Sequence, residues 1–292
     1  MICLLLSTWP LFFGLFLIMV GNGLLQMLLE LRAAAADLSD VTAGFMMGGY
    51  FLGLFVGSIF VPRILSNVRH IRTFGALSAI ASSAALIHVN TDSVGIWSAM
   101  RLFTGFTYAG MYIVVESWLN EKATNKTRGQ ILAIYMVVTM AGLSLGQLMC
   151  GFDDGVTSFL FLFVSILVSI AVVPILVTSG QAPEFSAPEQ ISLRRLYSIS
   201  PLAMMGMLLQ GVAAAMTFGM GAAYATSIGM TSSQASLFLV AVTVGTMLLQ
   251  YPVGRLSDIL DRRLVILLVA IISASAAACA AFLTLDYFIR YI

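Results

Sequence analysis

Arg101 lies seven residues into an otherwise apolar stretch and is followed by Tyr108, Tyr112 and Glu116. At about 100° per residue these positions fall within roughly 60° of one another on a helix, so they form one polar stripe. A charge inside a membrane helix costs about 2.5 to 3.5 kcal/mol on insertion scales, so the stripe needs a task. A fixed cation facing a water-filled cavity could hold an anionic group of a bound solute or bias the protonation of a nearby carboxylate. The competing reading places Arg101 about 10 Å from the end of its helix, at 1.5 Å rise per residue, from where it would snorkel to the interface. Glu116, near the other end of the stretch, is better placed for an ion pair with Arg63, Arg69 or Arg128 than for carrying protons. Two more stretches repeat polar residues at helical spacing: Asn22 with Gln26, and Gln210 with Thr217 and Tyr224. Taken singly, such side chains also serve as hydrogen-bonding glue between membrane helices.

The composition says what kind of element carries these residues. Of 292 residues, 60% are hydrophobic and only 9% charged, with a mean hydropathy of +1.01. Soluble domains carry about 25% charged residues, so a soluble enzyme is excluded. A net charge of +1 and the lack of a basic tract exclude a nucleic-acid partner, which would require several neutralised phosphates. Cys3, Cys150 and Cys279 are far apart in apolar runs and suggest neither a disulfide framework nor a zinc site. The many methionines read as adaptable packing, so no metal site and no cofactor are expected. The first apolar run lacks the charged start of a signal peptide and is too long for one.

At about 20 apolar residues per crossing, nine segments qualify: roughly residues 4–29, 41–60, 74–89, 94–118, 130–150, 159–177, 202–228, 235–253 and 264–285. The expected fold is therefore all-α and polytopic. Connections after even-numbered segments hold eleven Lys and Arg residues, including Lys126, whereas only Arg32 and Arg290 flank segments on the other side. The positive-inside rule then puts the even connections and the N-terminus in the cytoplasm. The longest polar stretch predicts a cytoplasmic linker over 179–200, between a six-helix bundle (1–178) and a partial second bundle (201–292). Internal repetition supports that cut, because Gly53 matches Gly245 and Val61 matches Val253 at one offset of 192 residues. Related halves flanking a midplane site are a transporter signature.

The eighth connection reads Gly254-Arg255-Leu256-Ser257-Asp258-Ile259-Leu260-Asp261-Arg262-Arg263. It resembles motif A of the major facilitator superfamily (MFS), G-x-L-a-D-r-x-G-r-k, with Asp261 at the second glycine. A degenerate copy runs from Pro62 to Arg72. Arg101 to Gly105 is similar to motif B, R-x-x-x-G. Val114 to Ser117, Arg128-Gly129, Tyr135-Met136, Gly142 and Gly146-Gln147 are similar to the YcaD-like group of bacterial permeases. The resemblance implies MFS-type bundles of twelve helices, with the first, fourth and seventh lining a central cavity. Asn22, Gln26, Arg101, Tyr108, Tyr112, Gln210, Thr217 and Tyr224 are then the cavity candidates. Gly254, Arg255, Asp258, Arg262 and Arg263, with Glu116, Arg69 and Arg128, are candidates for a charged cytoplasmic gate. The resemblance further implies an inner-membrane protein that carries a small-molecule substrate with a co-transported proton and needs no obligate protein partner. On this reading the nine helices lack helices 10 to 12.

Three function classes follow. A secondary transporter working by alternating access leads, and no phosphate-binding G-x-x-x-x-G-K-[ST] motif points to direct ATP use. An intramembrane enzyme would need a nucleophile with a base or a metal set; only His70 and His88 exist, and they are apart in sequence. A non-transporting, truncated membrane protein acting as a fragment or interaction partner is the alternative.

Overall fold

The computed structural model describes residues 2–91, 93–124, 127–151, 158–177 and 193–291, without the side chains of residues 2–7, 258, 262, 280, 281 and 283–291. Lys126 and most of the expected linker fall outside these residues, as do the side chains of Asp258 and Arg262. Among the described residues every regular element is a helix: α1 Ile2–Ala35, α2 Asp40–Val68, α3 His70–Ile87, α4 Val94–Lys122, α5 Arg128–Cys150, α6 Ser158–Ile170, α7 Val172–Leu176, α8 Leu193–Ile199, α9 Pro201–Ser227, α10 Ser232–Ile259 and α11 Arg262–Tyr291. The protein is all-α and polytopic.

Seven spans are long and apolar enough to cross a membrane: Thr8–Ala35, Asp40–Val68, His70–Ile87, Arg128–Cys150, Ser158–Leu176, Pro201–Ser227 and Ser232–Ser257. The last helix contributes a shorter apolar stretch, Arg263–Cys279. The fourth expected segment corresponds to the 29-residue α4, which is long enough but too polar to qualify. Its polar stripe lowers the average, and much of that stripe is turned inward: Arg101, Thr104, Thr107 and Tyr108 are all buried.

Side-chain caps fix several helix starts. Ser39 accepts from the Thr42 N–H ahead of α2, and Ser200 does so from the Ala203 N–H ahead of α9, where Pro201 follows. Thr231 and Gln234 satisfy each other's N–H groups at the start of α10, a reciprocal capping box. Between α2 and α3 the chain turns on the single residue Arg69, at φ 72°. By the 192-residue offset, Arg69 is the counterpart of Asp261, the second-glycine position of motif A. The left-handed backbone explains why glycine suits that place. At Asp261 another solution appears: its carboxylate accepts from the Arg263 N–H at 2.8 Å and caps α11.

The chain forms two compact units, Met1–Val244 and Gly245–Ile292. In the first, glycines let helix backbones touch. A Cβ on Gly49 would sit 2.9 Å from the Ser98 carbonyl oxygen, and one on Gly57 would sit 2.7 Å from that of Phe106. Gly53 and Gly105 face each other between these two contacts, so α2 and α4 meet along a seam of small residues. Gly23, Gly142 and Gly146 bring α1 against α5 in the same way. Ser82 of α3 meets Ser165 and Ser169 of α6 at 2.7 and 2.9 Å. The second unit holds the end of α10, with Gly254 and Arg255 exposed, and α11.

Candidate functional site

The α2–α4 seam presses Tyr50 onto Arg101. The guanidinium carbon lies 4.6 Å from the Tyr50 ring centroid, a cation–π distance. Arg101 is 0% exposed, so it does not snorkel to an interface. Its Nε, Nη1 and Nη2 atoms are buried and make no hydrogen bond. Every donor of the strongest fixed cation in the protein is thus held inside without an acceptor.

A second stripe faces it from α1. Asn22, Gln26 and Glu30 follow one another at four-residue intervals and all three are buried. Asn22 Nδ2 donates to the hydroxyls of Tyr50 at 3.1 Å and Tyr112 at 3.2 Å, tying α1 to α2 and α4. The Tyr108 hydroxyl donates to the Ile18 carbonyl at 3.2 Å, and its ring packs edge-on to Tyr50 and Tyr112 at 6.3 and 6.1 Å. Glu30 and Arg101 attract one another through space. Glu30 Oε2 accepts the backbone N–H of Ala222 in α9 at 2.7 Å, while Oε1 is buried without a partner. The result is a carboxylate and a guanidinium sharing one water-poor pocket, each with unused hydrogen-bonding capacity. At the same end of the bundle Arg32 lies 5.7 Å from the Trp97 ring and 5.3 Å from that of Phe161. His88 stacks on Phe161 at 6.2 Å.

The structure thus gathers Asn22, Gln26, Arg101, Tyr108 and Tyr112 into one cluster. The α9 candidates do not join it. Gln210 is exposed, the Thr217 hydroxyl donates back to the Ala213 carbonyl of its own helix, and Tyr224 is 53% exposed. At the far end of α4, Glu116 hydrogen-bonds Tyr135 of α5, and Arg128 Nε donates to Asn120 at 3.2 Å. Glu30 and Tyr50 belong to the cluster although the polar stripes of the sequence did not single them out. Glu30 had a signal, because it continues the Asn22–Gln26 spacing by one more step. Tyr50 had none, since its role comes from the glycines on either side of it in space.

The model of the Major Facilitator Superfamily matches residues 11–289. The chain is 28% identical over 257 residues to an uncharacterized MFS-type transporter, YcaD, of Salmonella arizonae, covering 87% of this chain and 67% of that protein. The YcaD of Salmonella newport is 27% identical over the same share. Among solved structures, the chain resembles a bacterial homolog of the human lysosomal transporter Spinster, in an inward-facing and unoccupied conformation. That match has TM-score 0.67 and 14% identity, over 87% of this chain and 63% of the other. It also resembles the nucleoside transporter NupG, at TM-score 0.66 and 12% identity over 86% and 68%. A D-xylose-proton symporter matches at TM-score 0.59 and 16% identity, over 88% and 68%. These structures share the fold, and the family model covers nearly all of this chain. The chain belongs to the Major Facilitator Superfamily, as a non-enzymatic, multi-pass membrane transport protein.

Proposed function

We propose that the protein is a secondary active transporter of a small molecule, coupled to protons and working by alternating access between two helical bundles, 1–178 and 201–292, joined by a cytoplasmic linker. The observation that carries this reading is Arg101: a buried guanidinium with three unpartnered nitrogens beside a carboxylate. Packing alone does not account for such a pair, because each buried charge is costly inside a membrane. A solute with an anionic group would satisfy the Arg101 donors. A proton on Glu30 would remove the negative charge that otherwise competes for them. The positive-inside pattern favours a cytoplasmic N-terminus in a bacterial inner membrane. In that orientation the Arg101 cluster lies in the outer half of the bilayer. The motif A residues Gly254, Arg255, Asp258, Arg262 and Arg263, with Arg69, Arg128 and Glu116, would then form the cytoplasmic gate.

The test is proton movement in proteoliposomes loaded with a pH-reporting dye. A nucleoside, a pentose and short carboxylates are added outside in turn. At least one is expected to acidify the lumen with wild type and not with Arg101→Ala. Absence of solute-dependent acidification and of labelled-solute uptake across the set would overturn the reading.

A further inference from the structure

The hydrogen bond between Glu30 and Ala222 is unusual on both sides. A backbone N–H five residues before the end of a 27-residue helix ordinarily serves only the carbonyl four residues back. Here it donates to a carboxylate from another helix at 2.7 Å. A foreign side chain can enter the ladder of a helix where the covering residues are small, and glycines flank this point at 219 and 221. A Cβ on Gly219 would stand 3.3 Å from Phe51, so α9 lies close against α2 as well as α1. Gly219, Gly221, Ala222 and Ala225 are the buried residues of α9. The helix touches its neighbours through this small-residue face near one end only.

The sequence separation of the two residues is 192, the same offset that relates Gly53 to Gly245 and Val61 to Val253. Glu30 and Ala222 are therefore equivalent positions of the two repeats. Positions related by a two-fold operation can touch only on its axis, and parallel repeats of this kind are related by an axis along the membrane normal. The contact thus marks the centre of the seam between the two bundles. One repeat supplies a carboxylate there and the other a bare backbone.

A cavity of about 520 Å³ reaches this point. Its lining includes Leu31, next to Glu30, and Met220 and Ala223 on either side of Ala222, with Asp37 and Asp40 also on its wall. The charged and titratable groups that bear on Glu30 are Arg101 from α4 and, against Arg101, Tyr50 of α2 and Tyr108 of α4. Helix α9 contains no charged residue, α6 contains none, and Arg128 of α5 is at that helix's far end.

We propose that Glu30 is the pin of an outer gate: its ionised carboxylate holds α9 closed against α1 through the Ala222 N–H, and a proton arriving through the cavity lets α9 go. The proton goes onto Oε1, which has no partner, and the bond at Oε2 then loses its ionic character. Hydrogen bonds with one ionised partner are about twice as strong as neutral ones, so protonation shifts the seam toward opening without breaking any covalent link. This deepens the transport reading, because it says how proton uptake would be tied to one of the two access states.

The test measures the seam itself and needs no solute. Spin labels go at Ala35 and Ser227, both exposed, in a full chain lacking Cys3, Cys150 and Cys279, in lipid nanodiscs. At pH 8 the wild type should show a short separation. At pH 5.5 the long-separation population should grow roughly tenfold, as expected for an equilibrium shift of this size. Glu30→Gln should show the long population at both pH values. Gly219→Val, which keeps the carboxylate but blocks its approach, should do the same. A Glu30→Gln protein that keeps the short separation and its pH response would overturn the proposal. If Glu30→Gln does not fold, a short separation in Gly219→Val overturns it instead. Failure of solute flux would leave this measurement untouched, and a fixed seam would leave flux untouched, so the two readings fail separately.

Discussion

The Arg101 guanidinium lies 4.6 Å from the centroid of the Tyr50 ring while its three nitrogens make no hydrogen bond. The ring face is the principal described contact of the charge, and the same Tyr50 is held in place by Asn22 through its hydroxyl. Removing either function of Tyr50 should therefore have a distinct effect. Tyr50→Phe keeps the face and is expected to lower stability by about 1 kcal/mol for the lost hydrogen bond. Tyr50→Leu also removes the cation–π contact, which is worth about 2 kcal/mol where the cation is desolvated. Thermal unfolding in detergent should rank them wild type, Tyr50→Phe, Tyr50→Leu. Equal losses for the two variants would show that the ring face contributes nothing.

Arg101→Ala is expected to leave membrane insertion intact and reduce solute flux. Arg101→Lys should recover only part of it, because an ammonium lacks the guanidinium's planar fork of donors. Uptake per inserted protein, with insertion measured by immunoblot of washed membranes, checks this. Unchanged flux in Arg101→Ala would remove the residue from the site.

Gly105, the glycine of the R-x-x-x-G stretch, faces the Tyr50 backbone so closely that a Cβ would collide with the Tyr50 carbonyl. Gly105→Val should push α2 and α4 apart and cost about 1 to 3 kcal/mol, the usual range for overpacking. Gly129, whose added Cβ would meet open space, supplies the control: Gly129→Ala should leave the melting temperature within a degree of wild type. Equal melting temperatures for the two variants would contradict a backbone-contact role for Gly105.

Orientation is testable by single-cysteine labelling in a background without native cysteines. Asn67 and Thr124 lie at the α2–α3 and α4–α5 connections, and Ala36 and Thr91 at the opposite ends of the same helices. In intact cells an impermeant thiol reagent should label Ala36→Cys and Thr91→Cys, and reach Asn67→Cys and Thr124→Cys only after permeabilisation. The reverse pattern would invert the assigned topology.

Much of this protein is legible in its sequence because a bilayer imposes one-dimensional rules. An apolar run of about 20 residues has few other uses, so the segments are apparent before any folding is considered. The stripe from Arg101 to Tyr112 is legible for the same reason, since helical spacing alone puts its members on one face. Glu30 was within reach, as the next step after Asn22 and Gln26. What no spacing could supply is the partner of each group. Tyr50 meets Arg101 because glycines on α2 and α4 let two backbones touch, and closeness between helices is a property of both chains at once. Ala222 meets Glu30 across 192 residues through a backbone N–H, and a sequence gives no sign of which N–H groups a helix will share. Sequence determined the helices, the polar faces and the repeat. Tertiary packing decided which charge was left without a partner and which contact lies on the seam, because both depend on distances between segments that hydropathy does not encode.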